Sequence, residues 1–250
     1  MTWTLPRLFA ATALALSVAA CSTPGPGQAP DGIWDPYETT NRRTHEFNKG
    51  LDRALVRPAG KGYATVVPDE VQDVVSNFAD NLGTPASMVN QTLQGDVAGV
   101  MHNFFRFTIN STIGLLGLFD PATDMGLPER PSDFGQTLQV WGVPEGAYVE
   151  LPLLGPSTER DTAGRVVDMF TNPLEYALPR PERYYGTATR VASKVGDRGR
   201  YSDTVDSILY ESADSYAQAR LIYLQNRRFE LGEEAKDTYI DPYALDTEGF

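Results

Sequence analysis

Proline and glycine recur along the whole chain, and they limit how far any helix can run. The 250 residues include 22 glycines and 18 prolines, a larger share than in an average protein. Because proline removes a backbone donor and glycine weakens helices, we expect many short helices joined at sharp corners. The sequence therefore predicts a mainly α fold. A chain of this length suits a single domain with one sizeable core.

Local signals predict where several helices begin and end. A carboxylate before the first turn accepts backbone N–H bonds, and on this basis the expected caps are Asp35, Asp96 and Asp120. A short helix is expected to start at Ser132-Asp133. Pro58 is expected to end the first helix. Gly83 is expected to end the second, and Thr84-Pro85 to start the next. Residues 179–200 are polar and weakly patterned.

One segment is typical of extended chain. VWGVPEGAYVELPLL, at residues 140–154, places β-branched and aromatic residues on both sides of a Pro-Glu-Gly turn. The sequence therefore predicts at most one short β-hairpin, turning at residues 144–146.

The N-terminus has the form of an export signal followed by a lipid-attachment site. Residues 1–20 carry one basic residue, Arg7, and then an apolar run that is too short to span a bilayer. Val-Ala-Ala-Cys at residues 18–21 resembles a bacterial lipobox, which predicts lipidation at Cys21. A plain signal peptide that happens to contain the one cysteine of the chain is the alternative. Ser22, rather than Asp, follows the cysteine, and this favours the outer membrane.

These signals divide the chain into four parts. Residues 1–20 form the signal peptide, and residues 21–32, rich in Pro and Gly, form a lipidated flexible tether. Residues 33–231 form the helical domain. The acidic residues 232–250 form a tail that we expect to be disordered.

The charge and the motifs that the sequence lacks exclude several functions. A formal net charge of −12 argues against a nucleic-acid partner, because phosphate binding needs a basic surface. The sequence holds no nucleophile elbow, no phosphate-binding glycine loop and no Cys/His cluster with metal spacing. His45 and His102, the two histidines, are expected to be solvated or at the edge of the core. We therefore expect no enzyme activity, no metal and no cofactor.

An uncharged segment stands out in this acidic chain. FTINSTIGLLGLFDP, at residues 107–121, carries no charge before Asp120. We predict a helical hairpin with residues 97–110 as one arm and residues 111–120 as the other. Gly114 and Gly117 are the expected hinge or turn positions, which permit a tight bend or a close helix contact. Periodicity alone leaves two interpretations open, a buried core hairpin or a surface that meets lipid.

Several long motifs resemble those of the MlaA/VacJ family of outer-membrane lipoproteins. They are DPYETTNRRTHEFN, VSNFADNLGTPASMVNQTLQGD, RFTINSTIGLLGLFDPATDMGLP, DFGQTLQVWGVPEGAYVELPLLGPSTERD and SADSYAQARLIYLQNR. The match covers residues 35–228, nearly the whole mature body. The sequence departs from the family at Thr39-Thr40, where a Gly-aromatic pair is usual. The family's local packing of the first helix is therefore not carried over to this chain.

The resemblance implies a ring-like helical lipoprotein in the inner leaflet of the outer membrane. Family members associate with trimeric porins, remove phospholipid mislocalised to the outer leaflet, and pass it to a periplasmic lipid-binding carrier protein, which maintains lipid asymmetry. The residues then expected to contact lipid are Phe104, Phe105, Ile109, Ile113, Leu115, Leu116, Leu118 and Phe119. The alternative is a structural or docking lipoprotein of an envelope complex that moves no lipid.

Overall fold

The computed structural model describes residues 23–25, 27–29 and 32–232 of the chain. Cys21, the predicted signal peptide and the predicted tail beyond residue 232 lie outside the described residues, as does part of the predicted tether. The four-part division of the chain and the lipidation of Cys21 therefore stay predictions.

Helices make up most of the described chain. In chain order they are α1 (Glu38–Leu51), α2 (Arg57–Val66), α3 (Asp69–Gln94), α4 (Val97–Thr112), α5 (Pro121–Asp124), α6 (Phe134–Val140), α7 (Glu159–Asp168), α8 (Leu174–Ala177), α9 (Tyr185–Arg200), α10 (Ser202–Asp206) and α11 (Ser215–Glu230). π-Helical segments occupy Asp52–Val56 and Ser207–Glu211, and a 3-10 turn occupies Glu182–Tyr184. Two strands, β1 (Tyr148–Leu151) and β2 (Gly155–Thr158), pair antiparallel. The predicted mainly α fold with one short hairpin is confirmed.

The hairpin turns later in the sequence than the Pro-Glu-Gly signal predicted. Tyr148 pairs with Thr158 and Leu151 with Gly155, so the turn lies at residues 152–154. Leu153 and Gly155 have φ of 67° and 73°, which supply the reversal. Residues 144–146 instead belong to the connection between α6 and β1, where Glu145 accepts a hydrogen bond of 2.9 Å from Arg228 Nε. The predicted turn position is therefore wrong.

Two predicted helix breaks, at Pro58 and at Gly83-Thr84-Pro85, are also wrong. Pro58 lies inside α2, directly after a π-helical segment in which the Arg57 amide donates to the carbonyl of Asp52, five residues back. This change of register accommodates the missing proline donor. Pro85 lies inside α3, which continues to Gly95 with its φ of 73°. Directly before this proline, the Thr84 hydroxyl donates to the carbonyl of Asp80 over 2.9 Å.

Most of the predicted caps are confirmed, and the exception connects distant parts of the chain. The carboxylates of Asp96, Asp120 and Asp133 accept backbone N–H bonds at the starts of α4, α5 and α6. Asp35 is not a cap, because α1 begins at Glu38. Its carboxylate instead accepts from Asn41, Tyr216 and Arg220, which ties α1 to α11.

Apolar burial is limited, and polar groups fill much of the interior. A small cluster of buried Tyr148, Tyr216 and Leu224, with Ile33 and Tyr223 against it, holds the hairpin to α11. The remaining buried side chains are mostly amides, hydroxyls and charged groups, including Asn41, His45, Gln72, Asn81, Asn90, Gln91, Asn103, Arg106, Asn110, Glu150 and Arg160. Buried polar groups are costly unless hydrogen-bonded, so the fold depends on how these groups are paired.

The helices surround a central cavity. α3 packs against α4 on one side and against α9 on the other, and α9 also packs against α2. Residues of α3, α4, α7, α8, α9 and the hairpin turn line one common cavity. This arrangement agrees with the expected ring-like body.

We predict that Asp35→Ala destabilises the protein by about 3 kcal/mol, because it leaves Arg220 without its buried partner. The side chain of Asp35 is 4% exposed and that of Arg220 is 15% exposed, so water restores little of the lost interaction. Denaturant unfolding of the purified protein in detergent, followed by circular dichroism, measures the change. Asp203→Ala removes an exposed carboxylate from α10 and is the control; equal midpoints for the two variants would contradict the prediction.

Candidate functional site

α4 has an inverted distribution of polar and apolar residues. Its buried face consists of Gly99, Asn103, Arg106 and Asn110. Its outward face carries Val97, Met101, Phe104 and Phe105, and both phenylalanines are 49% exposed. In a water-soluble protein a surface helix does the reverse and turns its apolar stripe towards the core.

The polar groups on the outward face of α4 are satisfied within the helix itself. The Thr108 hydroxyl donates to the carbonyl of Phe104 over 2.8 Å, and the Thr112 hydroxyl donates to the carbonyl of Thr108 over 2.6 Å. A helix surface in contact with hydrocarbon has no water to accept such bonds, so internal satisfaction is what that environment requires. The outward face of α4 is therefore compatible with hydrocarbon in two respects, its apolar composition and its internally bonded hydroxyl groups.

The segment after α4 is a compact turn, and the predicted second helical arm is wrong. Leu115, Leu116 and Gly117 all have positive φ, at 51°, 63° and 91°. The backbone is therefore in the left-handed region here and cannot continue as a right-handed helix. We call residues 113–119 the apolar tip. The prediction of turn positions fits the geometry at Gly117. At Gly114 φ is not positive, but an added Cβ would lie 2.4 Å from the carbonyl oxygen of Phe119.

Two asparagines, one on α3 and one on α4, hold the apolar tip in place. Asn81 of α3 donates to the Ser111 hydroxyl and to the carbonyl of Leu116, over 3.1 and 3.3 Å. The carbonyl of Asn110 accepts from the Gly117 amide over 2.8 Å. A Cβ on Gly117 would lie 2.4 Å from the Cβ of Asn81. The tip is therefore a defined structure fixed to two helices, with its apolar side chains directed outwards.

A buried cation closes the base of the tip. Arg106 donates to the Asp120 carboxylate over 3.1 Å and to the Thr123 hydroxyl over 2.9 Å, and also to the carbonyl of Leu127. Burial alone would raise the pKa of Asp120. Hydrogen bonds from Thr123 and Asn110 and the charge of Arg106 outweigh it and lower that pKa. The carboxylate therefore stays ionised at neutral pH, and the base of the tip keeps its ion pair.

The predicted lipid-contacting residues lie together on α4 and the apolar tip. All of them are exposed except Ile109, which is half-buried: Phe104, Phe105, Ile113, Leu115, Leu116, Leu118 and Phe119. Leu116 is 71% exposed. Val97 and Met101 extend the same surface and were missed, although both follow the helical spacing of the phenylalanines. Contact of any of these residues with lipid stays a prediction.

The central cavity has a volume of about 1120 Å³ and is lined largely by polar and charged residues. Its cations are Arg106, Arg130, Arg165, Arg190 and Lys194. Its carboxylates are Asp80, Glu129, Asp168 and Glu175, and apolar lining comes from Ala79, Leu153, Leu154 and Met169. The cavity is therefore amphipathic, and both signs of charge face it. This set could not be identified from the sequence, because charges scattered over several helices also fit a solvated surface.

Some cavity charges are already paired, and others are not. Arg130 bonds Asp96, and Arg165 donates to the carbonyls of Leu154 and Pro156. Within the described residues, the side chains of Asp80, Glu175, Arg190 and Lys194 have no hydrogen bond and no ion pair within 4.0 Å. These last groups are the ones able to bind a charged molecule.

Asp80 is unusual among these carboxylates. Enclosure by the cavity walls and, second, the nearby charge of Glu129 raise its pKa to about 6, while Lys194 and Arg190 oppose the change. Although water in the open cavity reaches its carboxylate, the surrounding protein makes the negative charge costly. A cation beside Asp80 would remove that cost.

The histidines are not part of the cavity. His45 is buried, contrary to expectation, with Nε2 3.1 Å from Ser215 Oγ and Nδ1 3.4 Å from Glu150 Oε1. This order of groups resembles a catalytic triad, but Ser215 is 7% exposed and does not line the cavity. The network instead joins α1, the hairpin and α11. His102 binds the carbonyl of Pro128 over 2.7 Å.

Two further features bear on the site. Among the described residues, no group of three or more His, Cys, Asp or Glu side chains is arranged to hold a metal ion. Within the same part of the chain, no helix combines the length and the apolar character that crossing a bilayer requires.

Comparison with known proteins identifies the family. The sequence profile described as "MlaA lipoprotein" matches residues 33–230. The chain belongs to the MlaA lipoprotein family. It is 35% identical over 226 residues to "Intermembrane phospholipid transport system lipoprotein MlaA" of Escherichia coli (strain K12), covering 87% of each chain. It is 29% identical to the protein of the same name from Haemophilus influenzae, covering 83% of this chain and 84% of the relative.

A solved MlaA-like structure shares the fold. That structure, described as "Structural basis for maintenance of bacterial outer membrane lipid asymmetry", is 35% identical to this chain and superposes with a TM-score of 0.67. The superposition covers 79% of this chain and 98% of the other. The resemblance to the MlaA/VacJ family and the expected fold class are thus confirmed.

We predict that Leu116→Gly stabilises this MlaA-family protein while weakening its binding to lipid vesicles. Glycine relieves the left-handed strain at φ 63°, a net gain of about 0.5–1 kcal/mol after its cost in the unfolded chain. It also removes an exposed apolar side chain. Leu118→Gly is the matched control, since Leu118 does not have positive φ and should lose stability. A melting temperature for Leu116→Gly below that of the wild type would contradict the inference that the backbone at Leu116 is strained.

Asp80→Asn should raise the free energy of unfolding at pH 7.5 by about 1 kcal/mol, allowing for the water that reaches the carboxylate. Because the folded pKa of about 6 lies above the ordinary 3.8, the penalty is complete above pH 6 and is lost as the pH falls from 6 to 4. Melting temperatures measured across this range test it. Glu70→Gln, an exposed change on the same helix, should show no such trend; a constant offset for Asp80→Asn would contradict the raised pKa.

Proposed function

We propose that this protein is an outer-membrane lipoprotein that takes mislocalised phospholipid from the outer leaflet and passes it to a periplasmic lipid carrier. In this way it maintains the lipid asymmetry of the outer membrane. Membership of the MlaA family, and the names of relatives in an intermembrane phospholipid transport system, support the proposal. The body lies in the inner leaflet, and Cys21 carries the lipid anchor.

The observation that carries the proposal is the inverted distribution of polarity. Exposed apolar side chains cover α4 and the apolar tip, whereas the interior holds amides and charges around a cavity of about 1120 Å³. A phospholipid has the same two parts, a charged headgroup and apolar acyl chains. The headgroup occupies the cavity, and the chains follow apolar surface. Moving a lipid in this way needs binding surfaces and no catalytic group.

Membrane attachment has two components that act together. A lipidated Cys21 holds one end of the chain at the bilayer, and the exposed surface of α4 and the apolar tip adds depth and orientation. The tip projects Leu115 and Leu116, which are 59% and 71% exposed. The protein then lies on and within one leaflet, at the height where a displaced phospholipid enters.

Partner proteins complete the route in this proposal. A trimeric porin binds the protein within the outer membrane, and a periplasmic carrier accepts the lipid. Exposed aromatic residues that belong to neither α4 nor the tip, such as Phe170, Tyr176 and Phe229, suit contact with protein partners. The same residues also fit a docking lipoprotein that moves no lipid, and the experiment below separates the two functions.

We predict that Leu115→Asp and Leu116→Asp abolish the restoration of lipid asymmetry in a deletion strain, because each places a charge in hydrocarbon. Cys21→Ala should fail as well, since it removes the anchor. Outer-leaflet phospholipid is measured by modification of surface-exposed lipid in intact cells. Leu116→Met keeps an apolar side chain at the same position and should restore asymmetry as wild type does.

The result that contradicts the role of the tip is full restoration by Leu116→Asp protein that is folded and correctly localised. Native mass spectrometry of the purified wild-type protein adds a second criterion. Porin-bound protein that never carries phospholipid would favour the docking function instead.

A further inference from the structure

Unpaired charges of both signs face each other across one wall of the cavity. Arg190 and Lys194 stand one turn apart on α9, and Asp80 lies on α3, all lining the cavity. None of the three makes a hydrogen bond or an ion pair within 4.0 Å among the described residues. Both cations nevertheless act electrostatically on Asp80, so the groups are near one another without being joined.

The close contact of α3 and α9 fixes the positions of these charges. Ser76 and Ser193 share a hydrogen bond of 3.0 Å between the two helices. At Gly83, one turn beyond Asp80, an added Cβ would lie 3.5 Å from a terminal nitrogen of Arg190. The guanidinium therefore reaches across to the α3 wall, where the absence of a side chain leaves room beside it.

We propose that this wall binds the headgroup of a zwitterionic phospholipid, with phosphate on Arg190 and Lys194 and an ammonium group beside Asp80. The inference deepens the proposed function, on which it rests, by assigning a substrate class. Phospholipids with an ethanolamine headgroup are then preferred over those with a glycerol headgroup. The two classes share the phosphate and differ in whether a cation follows it.

Other cavity cations are less suited to the phosphate. Arg106 is buried and committed to Asp120, Thr123 and Leu127. Arg130 and Arg165 likewise use their guanidinium groups on Asp96 and on backbone carbonyls. Arg190 and Lys194 keep their donors for a ligand, and charge-assisted bonds to phosphate are among the stronger polar contacts.

The carboxylates explain why an anionic headgroup fits less well. Asp80 and Glu129 both face the cavity, and the charge of Glu129 makes ionised Asp80 costlier. A headgroup with phosphate alone satisfies the cations and leaves Asp80 without a counter-charge. A headgroup that also carries an ammonium satisfies both, so the wall's neighbouring charges of both signs match the two opposite charges of the ligand.

The test uses the full-length lipidated protein and vesicles with equal amounts of phosphatidylethanolamine and phosphatidylglycerol. After incubation the protein is re-isolated, and its bound lipids are quantified by mass spectrometry. Wild-type protein should be enriched in phosphatidylethanolamine over the vesicle ratio. Asp80→Asn should lower that enrichment about fivefold, the effect of one partly solvated ion pair. Arg190→Gln with Lys194→Gln should lower the total of both bound lipids.

Matched controls change charge outside the cavity. Glu70→Gln on α3 and Arg43→Gln on α1 alter exposed side chains and should leave both the ratio and the total unchanged. Bound lipid at the vesicle ratio, with no response to Asp80→Asn, would overturn the headgroup assignment and leave the proposed function intact. Wild-type protein that retains no phospholipid would overturn the proposed function and this assignment together.

Discussion

The ion pair between Arg106 and Asp120 is the interaction on which the exposed apolar surface of α4 and the apolar tip depends. It lies at the base of the apolar tip, where α4 ends and α5 begins, and Asn110 and Thr123 complete its hydrogen bonds. A charged side chain on the inner face of α4 fixes which face points outwards. The apolar residues of the helix are exposed because its polar residues have partners inside.

The backbone of the apolar tip is strained at two leucines. Leu115 and Leu116 occupy left-handed backbone where glycine would fit without cost, yet both positions carry large exposed side chains. Asn81 and Asn110 hold the chain in this conformation through its backbone groups. Strain retained at an exposed apolar site indicates that the side chains themselves are needed. Backbone stability and the exposure of two large apolar side chains are therefore opposed at these two positions.

Local chemistry was predictable from the sequence, whereas effects that need distant partners were not. Asp96 and Asp120 cap helices because a cap needs only the next turn. Pro85 does not end α3, because tertiary packing outweighs its local preference. Periodicity predicted an apolar face on α4 but left open whether that face is buried or exposed. The second arm failed at Leu115 and Leu116, whose positive φ depends on Asn81 far earlier in the chain. The charges of the cavity meet only once α3 and α9 come together.

The exposed surface of α4 has a consequence for the chain before it reaches its membrane. An uncovered apolar patch in water drives proteins to associate with one another. The formal net charge of −12 opposes this, because copies with a large charge of one sign repel each other. The acidity of the chain and its uncharged segment are thus complementary. The first opposes aggregation while the chain is in water, and the second supplies the exposed apolar surface that aggregation would otherwise bury.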